Sequence, residues 1–382
     1  MKKFPPRTHL NIHSDTLEQN YWNLDSIFDD GSTLYHGGKN KSPHLTWDKV
    51  KGAKSYVVKI TDYEAANLIG TPFIHWVVAN LETNELEFDA ASRSDLHQGY
   101  NSFSSPSLMH ISDRSLAKAN ALANATYVGP NASDTSHNYE IIVYAIKDKS
   151  LDLPKPFYWA DLHQAMENKI VAWDSISVKL RHPSDNVNHL YKDLFKDRRN
   201  LKYIDIISNN VDKKGFLDSQ YAYSPYAPNP NLDWTHVEGA NYYSLIMLDN
   251  ESRHSTGGLP FIHWLVANIN VNSLEANATA TNKEILHGDT SASREYESKY
   301  LINNEAFMAP FIPDKFLLDG AATRYLGPNP QDAEHRYTVI IYAHENKLNL
   351  IKGFKLGSMS RALHGNVLGE GIFEFKVKKQ VK

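Results

Sequence analysis

The 382-residue chain contains no cysteine, which excludes disulfides, thiolate metal sites and a cysteine nucleophile together. No stretch approaches the run of about 20 apolar residues that a membrane-spanning helix needs. A mean hydropathy of −0.49, with 41% hydrophobic and 22% charged residues, describes a chain able to bury real cores in water. Charge of one sign is also scarce. The formal net charge of −4 is small for this length, so no general attraction to nucleic acid or anionic membrane follows. The basic tail (Lys376, Lys378, Lys379, Lys382) reads as a solvated end, and most of the 18 histidines are scattered. The basic start carries no apolar secretory segment, so the expected location is the cytoplasm. Common catalytic loops are missing too. His344-Glu345 lacks the second histidine of a zincin, Gly38-Lys39 lacks the upstream glycine of a phosphate loop, and there is no Gly-x-Ser-x-Gly elbow.

What is present is a repeat. Residues 72–80 read Pro-Phe-Ile-His-Trp-Val-Val-Ala-Asn and residues 260–268 read Pro-Phe-Ile-His-Trp-Leu-Val-Ala-Asn, differing only at Val77 and Leu265. Trp47 matches Trp234, Gly52-Ala53 matches Gly239-Ala240, and Asp62-Tyr63-Glu64 matches Asp249-Asn250-Glu251, all at an offset of 187. Further on, Tyr127-Val128-Gly129-Pro130-Asn131 pairs with Tyr325-Leu326-Gly327-Pro328-Asn329, and His137 and Tyr139 pair with His335 and Tyr337, at an offset of 198. The second copy therefore has a longer connection between its His-Trp strand and its Gly-Pro turn. Two domains are expected, 1–182 and 201–382, joined by a polar, charged linker over 183–200.

Within each copy the apolar segments are short, rich in β-branched and aromatic residues, and punctuated by Gly, Pro, Asn and Asp. Strands are predicted over 55–60, 73–78 and 140–144, and over 243–248 and 336–342. Helical patterning is weaker and falls at 160–172, 358–368 and, in an Ala-rich stretch, 115–125. A mainly β fold follows, sheet packed on sheet, with peripheral helices.

His75 and His263 interrupt strands apolar enough to be buried on both faces. A buried imidazole without a hydrogen bond costs about 1–3 kcal/mol, so two readings stay open: a satisfied core histidine or a working one. The company favours the second. Each copy adds an Asp at a strand end (Asp62, Asp249), a Gly-Pro turn (Gly129-Pro130, Gly327-Pro328) and a second His two residues before a Tyr. Positions i and i+2 of a strand share a face, so His137 and Tyr139 point the same way, as do His335 and Tyr337. Imidazoles and phenol that donate, turn amides and an Asp that fixes a histidine tautomer would form a donor-rich cup for a small anion. Two His and a carboxylate per copy could instead hold a metal, though no metal or cofactor is expected.

The ordered set Ser-Pro-x-Leu-x-Trp, Asp-x-acidic, His-Trp-x-Val-x-Asn, Tyr-x-Gly-Pro and His-x-Tyr resembles the phosphatidylethanolamine-binding, or Raf-kinase-inhibitor-like, family, the bacterial branch most closely. The likeness runs through both copies and includes the late segment 361–370. It implies a large central sheet against a smaller one in each of two tandem domains. It also implies an anion site at Asp62, His75, Pro130, His137 and Tyr139, and another at Asp249, His263, Pro328, His335 and Tyr337. The chain departs from the family in two places. The family's Asp-Pro-Asp becomes Asp62-Tyr63-Glu64 and Asp249-Asn250-Glu251, which implies a looser rim and altered ligand preference. Its His-Arg-Tyr persists at 335–337 but reads His137-Asn138-Tyr139 in the first copy. Since residue 138 faces away from the cup, that loss is expected to touch a structural ion pair. Copy one keeps a Gly-Tyr-Asn-Ser segment at 99–102 where copy two has Gly-Asp-Thr-Ser at 288–291, and the segments 103–126 and 292–324 are read as expanded. The leading expectation is a binding module for a small anion or a phosphorylated group. A regulator that inhibits a kinase or peptidase through a protein partner is the alternative. A His/Asp hydrolase comes last, because no nucleophile is evident. The resemblance further implies that the tandem copies pair within one monomeric chain as bacterial relatives pair between chains.

Overall fold

The structure, a computed structural model, describes residues 3–17, 20–29, 31, 34–93, 95–105, 125–184, 200–252, 258–293 and 322–380. The helix expected over 115–125 and most of the linker and of the two expanded segments lie outside these residues.

Four long strands build the first repeat: β1 (Ser55–Asp62), β2 (Phe73–Leu81), β3 (His137–Ile146) and β4 (Ile170–Leu180). They form a five-stranded antiparallel sheet in the order His97–Gln98, β2, β1, β3, β4. The second repeat repeats the order with β5 (Tyr242–Asp249), β6 (Phe261–Ile269), β7 (His335–His344) and β8 (Val367–Val377). Its sheet runs Leu286–His287, β6, β5, β7, β8, with Lys202–Tyr203 added in parallel at the far edge. A small sheet accompanies each: Leu45–Thr46 with Glu85–Leu86, and Ile206–Ile207 with Leu232–Trp234 and Ser273–Leu274.

Alternation sorts the side chains into two cores. In the first repeat Val58, Ile60, Trp76, Val78, Tyr139 and Ile141 pack with Leu45 and Leu86 of the small sheet and with Trp47 just after it. Val57, Ile74, Val77 and Ala79 lie under Phe157 and helix α1 (Trp159–Ala165), with Leu162 and Met166. The sheet is therefore covered on both faces, as its apolar strands require. In the second repeat Phe354 and the Leu356, Met359 and Leu363 side chains of helix α2 (Leu356–Leu363) are likewise buried.

Both helices are shorter than the sequence pattern predicts. The stretch 160–172 is helical only to Ala165, and 358–368 only to Leu363. Asn168 (φ 56°) and Gly365 (φ 72°) take the left-handed conformation that turns the chain out of a helix. The β-branched and aromatic residues that follow open β4 and β8, where they pair with β3 and β7 along nearly their full length.

The described chain forms two compact units. One comprises Arg7–Ala65 and Pro72–Lys192; the other comprises Asp193–Lys382 together with Met1–Pro6 and Ala66–Thr71. No helix among the described residues is long and apolar enough to cross a membrane.

Candidate functional site

The His-Trp strands break their own alternation at the histidine. On β2, Trp76 pairs with Ile60 and Ile74 with Thr61, so His75 is an extra, unpaired residue. On β6, Trp264 pairs with Met247 and Ile262 with Leu248, leaving His263 in the same position. A β-bulge of this kind re-aims one side chain while the strand continues. It lets His75 stand edge-on to Tyr139, with ring centroids 5.0 Å apart, and His263 to Tyr337 at 5.2 Å. Nothing in the residue pattern announces the bulge.

Each bulged histidine is held at Nδ1. The His75 Nδ1–H donates to the Val128 carbonyl at 2.8 Å, and the His263 Nδ1–H to the Leu326 carbonyl at 2.9 Å. A carbonyl can only accept, so Nδ1 carries the proton and Nε2 is left with its lone pair. Burial pushes the His75 pKa down to about 4 against the pull of Asp62, and burial lowers His263 against Asp249. Both rings are neutral at physiological pH. They do not donate at Nε2, as the sequence reading expected of the imidazoles; there they accept.

The second histidine is the opposite case. His137 Nδ1 bonds Asp62 Oδ2 at 2.7 Å, and His335 Nδ1 bonds Asp249 Oδ2 at 2.8 Å. On the other side of each ring stands a carboxylate the sequence reading missed. Asp134 Oδ1 is 2.8 Å from His137 Nε2, a close ion-pair contact, and Asp332 Oδ1 accepts from His335 Nε2 at 2.7 Å. Burial opposes a charge on His137, but Asp62 and Asp134 outweigh it and push its pKa up to about 10. Asp249 and Asp332 do the same for His335, to about 9. Asp62 is held below the usual carboxylate range, against the penalty of its own burial, by His137 first and then His75. Both imidazolium protons are thus already engaged. The clue was available in the sequence: an Asp three residues before the histidine in both copies, at the common offset of 198.

Asp62 is fully used. Its Oδ1 accepts from the Glu64 and Ala65 amides at 2.8 and 3.0 Å, and Asp249 Oδ1 accepts from the Glu251 amide at 2.8 Å. These turns answer the expectation of a looser rim. Glu64 and Glu251 are buried rather than on a rim, because each reaches the face of the strand that points away from the cup. There Asn138 Nδ2 donates to Glu64 at 2.6 Å. The Arg336 amide donates to Glu251 at 3.0 Å, and its Nε lies 3.6 Å from both Glu251 and Glu374. The Asn-for-Arg difference between the copies is therefore a change in a buried polar cluster on the far face.

The first Gly-Pro turn is used differently from the expectation. The Gly129 amide donates to Asn40 Oδ1 at 2.7 Å, so it is not offered to a ligand as the sequence reading supposed. The glycine is required for another reason: a Cβ at 129 would lie 2.3 Å from the Ser26 carbonyl, and one at 327 would lie 2.4 Å from that of Ser224. Pro130 and Pro328 present carbonyls that accept from the Phe28 and Tyr223 amides. Tyr127 and Tyr325 secure the same crossings by donating to the Ser26 and Tyr221 carbonyls at 2.7 and 2.8 Å.

What faces the cup is then a short set. The Tyr139 hydroxyl is buried and has no hydrogen-bond partner among the described residues. Burial, and Asp62 after it, hold its pKa well above that of free tyrosine, so it keeps its proton. Tyr337 is raised in the same way, and its hydroxyl interacts with Asp249. Beside each phenol lie the neutral imidazole and the Asp–His–Asp chain. Among the described residues no cluster of three or more His, Asp or Glu side chains is disposed to hold a metal ion.

Comparison with known proteins places this architecture. The family model for phosphatidylethanolamine-binding protein matches residues 25–181 and again 207–378. The uncharacterized protein YxkA of Bacillus subtilis (strain 168) is 36% identical over 138 residues, covering 35% of this chain and 77% of that protein. The UPF0098 protein YbhB of Escherichia coli (strain K12) is 33% identical over 121 residues, covering 31% and 67%. Among solved structures, a putative phosphatidylethanolamine-binding protein homolog from Chlamydia trachomatis is 18% identical, with a TM-score of 0.36 over 48% of this chain and 99% of that one. E. coli YbcL, described as a member of the mammalian family, is 22% identical with the same score over 46% and 99%. The chain belongs to the phosphatidylethanolamine-binding protein family and carries that family's domain twice, in tandem.

Proposed function

We propose that this protein binds a small anion in each repeat, one site in a domain spanning 1–182 and one in a domain spanning 201–382, with 183–200 joining them. The first site is built on Asp62, His75, His137 and Tyr139, the second on Asp249, His263, His335 and Tyr337. Gly129-Pro130 and Gly327-Pro328 act as scaffolding that seats the bulged histidine. The ligand is a phosphate, a phosphorylated headgroup or a carboxylate.

The observation that carries this reading is the buried hydroxyl of Tyr139, which has no hydrogen-bond partner among the described residues, beside a neutral His75. An unpaired buried donor costs about 1–3 kcal/mol, a cost that an incoming acceptor oxygen removes. The imidazole next to it offers an acceptor at Nε2, so the cup suits a ligand that accepts at one oxygen and donates from another. A phosphomonoester monoanion does both; its second ionisation, at a pKa of about 6, removes the donor. A carboxylate only accepts, and so fits the cup less well. The imidazolium of His137 is held between Asp62 and Asp134, so it offsets part of their negative charge beside the cup and is not itself a donor to the ligand.

Thermal denaturation of the full chain in inorganic phosphate or a phosphomonoester tests the reading. The melting temperature is expected to rise with either ligand by mass action, for the phosphomonoester more at pH 5.5 than at pH 8, and the rise should vanish in the His75→Ala, His263→Ala double variant. A parent protein whose melting temperature does not respond to either ligand would sink the proposal.

A further inference from the structure

The two cups keep their polar residues but not their surroundings. In the first repeat the Phe73 ring lies 4.6 Å from the His75 ring. Phe103 stands edge-on to Phe73 at 5.0 Å, and Phe28 lies 6.4 Å beyond Phe103. All three phenyl rings are half-buried, so each keeps part of its surface in water. Together they form a row leading outward from the bulged histidine.

Among the described residues, the second repeat keeps the first ring of this row but not the ring that follows it. Phe261 lies 4.7 Å from His263, as Phe73 does from His75, but it is buried. Hydrogen bonds identify the remaining counterparts. Ser102 accepts from the Ile74 amide just as Ser291 accepts from that of Ile262, so Ala292 occupies the place of Phe103. The Phe28 amide meets Pro130 as the Tyr223 amide meets Pro328. Tyr223 is therefore the counterpart of Phe28, and its hydroxyl is drawn away to the Lys378 carbonyl at 3.0 Å. Ala292 is 1% exposed, and leaves no ring to touch.

We propose that Phe103, with Phe73 and Phe28, makes the first site selective for anions that carry an aromatic or other planar apolar group, and that the second site, with Ala292, does not distinguish such ligands from the bare anion. The inference rests on the anion cups proposed above and adds which class of ligand each one takes. Half-exposed rings set edge-to-face present both edges and faces to a further ring, and an aromatic pair adds about 0.5–1.5 kcal/mol beyond its area burial. That corresponds to about a twofold to thirteenfold gain in affinity per ring engaged.

Calorimetric titration of the full chain separates the two ideas. His263→Ala leaves only the first site to report and His75→Ala only the second; Asn in place of Ala at either position serves if a variant fails to fold. Inorganic phosphate and phenyl phosphate are the probes. In the His263→Ala chain phenyl phosphate should bind at least about threefold more tightly than phosphate, and in the His75→Ala chain within about twofold of it. Adding Phe103→Ala to the first should bring the ratio to about one, with Phe103→Leu, which keeps bulk without a ring, close to that. Phosphate binding with equal ratios in both single-site chains, or a ratio that Phe103→Ala leaves unchanged, overturns the selectivity while leaving the cups standing. Absence of phosphate binding in either chain overturns the cups and the selectivity with them.

Discussion

Each cup holds two histidines in opposite protonation states, and the difference comes from what each ring touches. His75 meets a carbonyl and a tyrosine ring, so burial dominates and it stays neutral; His137 meets two carboxylates and stays charged. The identities of Asp62, His75, His137 and Tyr139 as a cluster were legible in their shared order in both copies. Their donor and acceptor roles were not, because those depend on backbone partners that no spacing reveals. The same residue-by-residue comparison exposes a flaw in the second repeat. Trp76 donates to Gln98 at 2.7 Å, and Gln98 passes a hydrogen bond on to the Ala91 carbonyl at 3.0 Å. In the second copy Trp264 donates to His287 Nδ1 at 3.3 Å, and His287 Nε2 is buried without a partner among the described residues. Burial first, then Lys352 and Arg324, push this histidine down to about 4, so its one proton sits on Nε2, where no described residue accepts it. His287→Gln should stabilise the protein by about 1–2 kcal/mol, seen as a later urea midpoint with an unchanged slope. An earlier midpoint would mean that the stacking of His287 on Trp264 is worth more than the missing bond.

At the scale of elements, the strand assignments followed from composition, and the errors cluster where two periodicities meet. Residues 160–172 and 358–368 each contain a short helix running into a long strand, and a window that spans both reads as one weak helix. The bulges at His75 and His263 were invisible for a related reason. A nine-residue apolar strand buried on both faces has no polar alternation to betray an inserted residue. Asn80 and Asn268, by contrast, carry a recognisable mark as asparagines in an apolar run. Both adopt a positive φ (59° and 62°), and each accepts from and donates to the backbone of one residue, Leu151 or Leu348. The starts of β3 and β7 make a testable electrostatic unit. His137 is raised from an ordinary value of 6.5 to about 10 and His335 to about 9, so between pH 6.5 and those values the native state binds more protons than the unfolded one. Stability from these pairs is whole below pH 6.5 and is lost as pH climbs toward 9–10, with a limiting slope of about 1.4 kcal/mol per pH unit for each histidine. His75 acts in the other direction. Lowered to about 4, it costs stability as pH falls from 6.5 toward 4. Urea unfolding from pH 4 to pH 10 should trace a dome, and His137→Gln should flatten its alkaline side. An alkaline limb that persists unchanged in that variant would contradict the assignment.

For the whole molecule, the duplication was the most legible feature, because nine residues repeated with one change need no structural knowledge to notice. Two family matches, two large sheets of the same strand order and two small sheets follow it through. The sequence could not say how far the copies have drifted apart. They retain the cup residues, yet they differ at Asn138 and Arg336, at Gln98 and His287, and at Phe103 and Ala292. Each of these differences is interpretable only once the partner of each side chain is known. The central claim is that the retained residues form one anion site per repeat. A crystal structure of the full chain soaked in phosphate tests it most directly. The account predicts tetrahedral density in both cups, with one oxygen within hydrogen-bonding distance of the Tyr139 or Tyr337 hydroxyl and another facing Nε2 of His75 or His263. Empty cups at a phosphate concentration that raises the melting temperature would place the ligand elsewhere and contradict it.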